Sequence, residues 1–165
     1  MKIILSGITG YIGTRLTERF LSEGHEVHAI VRKTSKVEEL PDNIKQNVKF
    51  YVYDEERTIL DIVTAISKDK KPDVVYHLAS LYLASHKYSD IRKFIDSNIT
   101  FGSEILDSMS ANDIKNFINV GTFAQHYESK EYNPVNFYSA TKQSFEDILK
   151  FYVEVYGMKT ISLHL

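Results

Sequence analysis

The chain has 165 residues, 43% hydrophobic and 25% charged, a balance that suits one soluble globular domain with its own core and argues against disorder. Twenty basic residues against 22 acidic ones leave a formal charge of −2 with no long run of either sign, so neither a nucleic-acid surface nor a polybasic membrane patch is expected. The absence of cysteine removes disulfides, thiolate metal sites and a cysteine nucleophile, and no metal site is expected from the remaining residues.

The chain opens on Met1-Lys2-Ile3-Ile4-Leu5-Ser6, too short an apolar run for a signal peptide or a membrane span, which makes a cytoplasmic protein the expectation. Lys2 to Ser6 reads as a strand. It runs straight into Gly7-Ile8-Thr9-Gly10-Tyr11-Ile12-Gly13, followed by a helix over Tyr11 to Ser22. Glycines at this spacing between a strand and a helix are a dinucleotide-phosphate turn: Gly7 for the tight bend, Gly10 for close backbone approach to a pyrophosphate, Gly13 for helix–strand packing. The backbone of Thr9, Tyr11 and Ile12 and the helix N-terminus would complete the anion site.

A second strand is expected at Glu26 to Val31. A carboxylate at its end would hold a ribose 2′-hydroxyl, whereas here Val31 is followed by Arg32 and Lys33, which favours NADP over NAD; the alternative is a solvated basic loop. After a turn near Val37 to Leu40, a third strand spans Val48 to Tyr53. Asp54, just beyond it, is placed to accept from an adenine amino group or to serve a turn.

A helix over Thr58 to Ser67 leads to a fourth strand, Asp73 to Leu78, and then to a long helix from Asp90 to about Met109. A fifth strand, Asn116 to Val120, ends in Gly121-Thr122. The last helix, Tyr138 to Tyr156, opens with Tyr138-Ser139-Ala140-Thr141-Lys142, an i, i+4 pair on one face, at the carboxyl edge where the glycine turn lies. Thr122 is placed to face the Tyr138 phenol across the crevice. Thr160 to Leu165 reads as a buried strand without cap or polar tail, so a truncated chain is expected. Unalternated strands between helical segments imply a doubly wound parallel sheet, Rossmann-like, of order 3-2-1-4-5-6.

These motifs together resemble the extended branch of the short-chain dehydrogenase/reductase superfamily, the nucleotide-sugar epimerases, dehydratases and reductases. The resemblance covers essentially the whole chain. It implies that Thr122, Tyr138 and Lys142 are the catalytic triad, that Asn98 is the asparagine of the helix after strand four, and that His77-Leu78-Ala79-Ser80 lies beside the cofactor. His77 is alternatively a satisfied strand histidine, and Asn98 alternatively helix surface.

Tyr138 would be the general acid in ketone reduction, its phenol lowered from about 10 by the Lys142 ammonium. Lys142 would also hold the nicotinamide ribose, and Thr122 would bond the substrate oxygen. Tyr82, His86, Phe123, Gln125 and His126 fall in loops that face the substrate or pack. Phe123-Ala124 stand where the family's dehydratases carry Asp-Glu, so dehydration is not expected. Residues 121–127 and 133–143 look most like the abequose and paratose synthase group, which reduces 4-keto CDP-sugars.

The expectation is therefore the cofactor-binding half, residues 1–165, of an NADP(H)-dependent 4-keto-sugar reductase or epimerase acting on a nucleotide-diphosphate sugar, with the substrate domain missing, inactive as a fragment and with a homodimer as the candidate assembly. A non-catalytic NADP-binding sensor or scaffold of the same fold is the alternative.

Overall fold

The computed structural model describes all 165 residues. Six strands form one parallel sheet: β1 (Lys2–Ser6), β2 (Glu26–Arg32), β3 (Lys49–Tyr53), β4 (Val74–His77), β5 (Asn116–Gly121) and β6 (Lys159–His164), in the order β3-β2-β1-β4-β5-β6. The expected order and class are observed. The order reverses between β1 and β4, whose neighbouring carboxyl ends open the crevice.

Alternate side chains of each strand serve opposite layers, because successive Cβ atoms leave opposite faces. Ile3 and Leu5 join Val27, Ala29 and Val31 beneath α1 (Tyr11–Ser22) and α2 (Asp42–Asn47). Ile4, Ile30, Val75 and Phe117 pack on the other face under α3 (Ile59–Ser67), α5 (Phe101–Ala111) and α6 (Phe137–Tyr156). The last helix starts where Asn136 accepts from the Ser139 N–H at 2.9 Å and its own N–H reaches the Ser139 hydroxyl at 3.2 Å, a reciprocal cap that fixes Tyr138 in the first turn.

Three elements differ from expectation. The short α2 has no strong apolar period and is held by one buried residue, Ile44, so its pattern was too sparse to read. The long helix after β4 is interrupted: α4 (Ile91–Ile95) passes into α5 through a π-helical turn at Asp96–Thr100. β6 pairs with β5 along its whole length, yet Ile161, Leu163 and Leu165 are about half exposed, so the strand expected to be buried is an open edge.

His77, expected beside the cofactor, is instead core. Its ring is fully buried among Phe101, Phe117 and Phe145, at centroid distances of 5.6, 5.9 and 5.4 Å, and its Nδ1 meets the Ser6 hydroxyl at 2.8 Å. Burial, with the Lys142 charge adding to it, lowers its pKa to about 3. The unfolded ring protonates near pH 6.5, so the folded state loses stability as pH falls through that value toward 3, by about 1.4 kcal/mol per pH unit at full separation. His28, lowered mainly by burial, acts in the same direction. Urea unfolding between pH 6.5 and 5, above the range where carboxylates titrate, should show this slope, and His77→Gln should remove a large part of it; an unchanged slope would contradict a buried neutral ring.

Candidate active site

The crevice is built around backbone that passes too close for side chains. Gly7 has φ +82°, and a Cβ there would stand 2.6 Å from the Ala79 nitrogen, while a Cβ on Gly13 would stand 2.1 Å from the Gly7 carbonyl oxygen. Both glycines are demanded by the fold. Gly10 is different: a Cβ would meet only the Gly7 oxygen, at 3.4 Å. Its missing side chain leaves room on the outer side, where α1 begins with no side-chain cap and no acidic residue in its first turn. The Tyr11 and Ile12 side chains point to solvent, so what they offer a ligand is backbone N–H at the positive end of a helix.

From this turn a cleft of about 240 Å³ runs along the ends of β1, β2 and β4, lined by Gly7 to Gly10, Val31, Arg32, Leu78 to Leu81, Ser97 and Phe101. Thr9, Leu78 and Ala79 take the places expected of them, and His77 does not reach it. Arg32 lies at one end with its N–H on the Ser35 hydroxyl at 3.0 Å, next to a recess shared with Thr9, Thr34, Ser35 and Lys36. Lys33 and Asp54, both expected to hold cofactor, hold each other at 2.8 Å; the other Asp54 oxygen accepts the Glu56 and Arg57 N–H groups at 3.0 Å. Neither lines the cleft, and Asp54 is a turn residue. Ser35, Ser97 and Phe101 were missed. Ser35, three residues after Arg32, was legible as a polar loop neighbour, whereas the helical pair carries no local signal.

Thr122, Tyr138 and Lys142 do not line this cleft, and Tyr138 adjoins it through the Ser80 hydroxyl. Tyr138 is partly buried, its ring edge-on to Tyr82 with centroids 5.1 Å apart. Burial raises its pKa, the Ser80 hydroxyl opposing and Tyr82 reinforcing, so the phenol is not lowered by Lys142 as expected. Lys142 is 2% exposed, and burial brings its ammonium down to about 8 against the attraction of Glu146. No hydrogen bond holds its Nζ within the chain. Thr122 is buried, its Oγ1 accepting the Ala124 N–H at 3.3 Å and its N–H donating to Gln125 Oε1 at 2.9 Å.

Asn98 sits in the π turn with its amide fully engaged. Oδ1 accepts the Leu81 N–H at 2.6 Å, while Nδ2 donates to the Leu81 carbonyl at 3.0 Å and the Thr141 hydroxyl at 2.9 Å. It has no donor left for substrate and acts as a clamp between the β4 loop and α6, not as the catalytic residue expected. Of the loop residues, Tyr82 and Phe123 are open to solvent. His86 stacks on Phe137 at 4.6 Å, and His126 is bound to the Glu131 carbonyl and to His164. Gln125 is fully buried and faces Thr122, Gln143 and Glu146 rather than a substrate.

A doubly wound sheet with a glycine turn at its switch point, and a Tyr/Lys pair on the first turn of its last helix, define a Rossmann-like α/β domain. The chain belongs to the NAD dependent epimerase/dehydratase family, whose model matches residues 3–165. It is 28% identical to a UDP-glucose 4-epimerase of Lactobacillus helveticus, covering 99% of this chain and 50% of the relative. It is 27% identical to a CDP-abequose synthase of Salmonella typhimurium, covering 99% of this chain and 52% of that one. The abequose group expected from the loop motifs is thus among its relatives.

Among solved structures, the Thermotoga maritima UDP-glucose 4-epimerase with UDP-glucose superposes with a TM-score of 0.79 at 25% identity, over 99% of this chain and 55% of that one. The Bacillus cereus UDP-glucuronic acid 4-epimerase in complex with NAD shares the fold at 22% identity and the same TM-score, over 99% and 56%. The chain spans about half the length of the curated relatives it matches. The family's description names NAD, and gives no support to the phosphorylated cofactor expected from Arg32. No helix is long and apolar enough to cross a membrane.

The two classes of glycine separate by measurement. Gly13→Ala drives a Cβ into backbone and should cost at least about 1–3 kcal/mol in urea unfolding. Gly10→Ala should leave stability within about 1 kcal/mol while weakening dinucleotide binding at least tenfold by calorimetry, roughly 1.4 kcal/mol. Equal stability losses in the two variants would assign Gly10 to the fold instead.

Proposed function

We propose that this chain is the cofactor-binding part of an enzyme that moves hydride between a nicotinamide dinucleotide and a nucleotide-diphosphate sugar, as a 4-keto-sugar reductase or epimerase. One observation carries the reading: a lysine ammonium, almost fully buried and without a hydrogen-bonding partner, one turn after a tyrosine at the carboxyl edge that also bears the glycine turn. An ammonium this far withdrawn from water gains from hydrogen-bond acceptors, and ligand hydroxyls on a ribose would supply them.

When bound, the nicotinamide supplies or accepts the hydride. The backbone from Gly10 to Gly13 holds the diphosphate on the α1 N-terminus, and Leu78 and Ala79 wall the cleft. Tyr138 donates a proton to the sugar oxygen in reduction and takes it back in oxidation. Burial holds the phenol's pKa above its ordinary value, so it stays protonated near neutrality, ready to act as an acid. Lys142 stabilises the phenolate that forms, and Thr122 supplies a second hydrogen bond to the sugar oxygen. Residues 1–165 form one domain in this reading, and the remaining walls of the sugar pocket come from a second half.

Arg32 supports NADP as the cofactor, because it makes no ion pair and lines a recess with Thr9, Thr34, Ser35, Lys36 and Glu39, the Glu39 carboxylate being held by Lys36 at 2.7 Å. Calorimetric titration should give NADPH at least about tenfold tighter than NADH, the worth of one charge-assisted contact, and Arg32→Ala should erase most of that. Equal or tighter NADH binding would leave NAD as the cofactor.

In the enzyme with both halves, Tyr138→Phe should lower kcat about 100-fold or more while the dinucleotide Kd stays within a few fold, because the phenol acts in the transition state. Retention of more than about a tenth of kcat would exclude this role.

A further inference from the structure

The mechanism leaves one partly buried network unused, on the far side of Lys142 from Tyr138. Glu146 lies one turn beyond Lys142 on α6 and presents its carboxylate to three other elements. Oε2 accepts Gln125 Nε2 at 3.1 Å, and Gln125 Oε1 in turn accepts the backbone N–H of Thr122 at 2.9 Å. Oε1 accepts His164 Nε2 at 2.8 Å from β6 and Asn119 Nδ2 at 3.3 Å from β5. His164 Nδ1 then meets His126 Nε2 at 3.0 Å. The fold reserves the space: a Cβ on Gly121 would lie 2.8 Å from Glu146 Oε1 and 2.3 Å from a His164 ring carbon.

We propose that Glu146 is a positioning residue of the catalytic site, its single carboxylate coupling the charge on Lys142 to the placement of the loop that carries Thr122. The proposal rests on the reading of this cleft as a hydride-transfer site. Lys142, which acts through the Tyr138 phenol, and Thr122 lie on different elements, α6 and the β5 loop, and both serve the chemistry at one substrate oxygen. Glu146 is the group that reaches both: Lys142 by charge along its own helix, Thr122 through the Gln125 amide. The titratable groups within electrostatic reach of Lys142 are Glu146 on α6 and His77 on β4; of these, Glu146 is the one that favours the ammonium. His164 and Asn119 occupy Oε1, which leaves Oε2 to Gln125 and fixes the carboxylate plane.

Two measurements on this chain, neither requiring cofactor, test it. The Lys142 side-chain carbon resonance in 13C-lysine-labelled protein, assigned with Lys142→Arg, reports the lysine titration. Glu146→Gln should move its midpoint down by about one pH unit, an opposite charge at this range being worth that much; an unmoved midpoint overturns the proposal. Amide hydrogen exchange at Thr122 reports the loop, and Glu146→Ala should speed it at least about tenfold; unchanged exchange overturns the coupling. Glu154→Gln, exposed two turns further along α6, should move neither. Should Glu146→Ala fail to fold, Gln125→Ala cuts the same link nearer Thr122, with faster Thr122 exchange and an unmoved Lys142 midpoint expected; unchanged exchange again overturns the coupling. If the wild-type chain binds neither NADPH nor NADH, the hydride-transfer reading fails on its own, while the Lys142 and Thr122 results still decide whether Glu146 couples them.

Discussion

Everything in this molecule follows from how closely the first turn approaches the fourth strand. Gly7 passes the Ala79 backbone at a distance no side chain allows, and Gly13 presses α1 onto the Gly7 carbonyl. That contact sets where the N-terminus of α1 points and how wide the gap between the ends of β1 and β4 becomes. The Ser6 hydroxyl, bonded to His77 Nδ1 at 2.8 Å and reached by the Ala79 N–H at 3.4 Å, ties the two strand ends together behind the gap. The cleft is a consequence of backbone packing, and its polarity comes from peptide groups more than from side chains.

Electrostatics then divides the buried cation from the buried histidine. Lys142 and His77 lie within Coulomb reach of each other in an aromatic surrounding, and two cations there would repel. His77 yields because it has a neutral form near neutrality and a hydroxyl partner for one nitrogen. Lys142 keeps its charge over much of the same range because Glu146 lies on its side. The ring that sequence comparison would place beside a ligand is thereby a wall that keeps a single positive charge at the site.

The fold was legible because its signals are local and repeated: uninterrupted apolar strands such as Ile3-Ile4-Leu5 and Val74-Val75, glycines at one junction, and a capped final helix. The turn and the Tyr138/Lys142 pair were legible for the same reason, since each is a short motif on one junction or one helical turn. What sequence reading misplaced depends on partners far along the chain. Lys33 and Asp54 look like two cofactor ligands until β2 and β3 are laid side by side, whereupon they neutralise each other. Gln125 looks like a loop residue facing substrate until α6 brings Glu146 against it. Asn98 was found by position but misread in role, because its partners Leu81 and Thr141 lie 17 and 43 residues away.

The π turn at Asp96–Thr100 has a bearing on how the long helix is to be counted. A π turn widens the helix locally, yet Phe101, Ile105 and Met109, buried in α5, stand 7, 11 and 15 residues beyond Phe94, buried in α4, and so keep one 3.6-residue phase across it. Asn98, four residues after Phe94, falls on the same inner face, while Ser97 lines the cleft. A helical wheel drawn from Ile91 to Ala111 therefore reads the buried face correctly on both sides of the turn, and the irregularity is one of backbone hydrogen bonding alone.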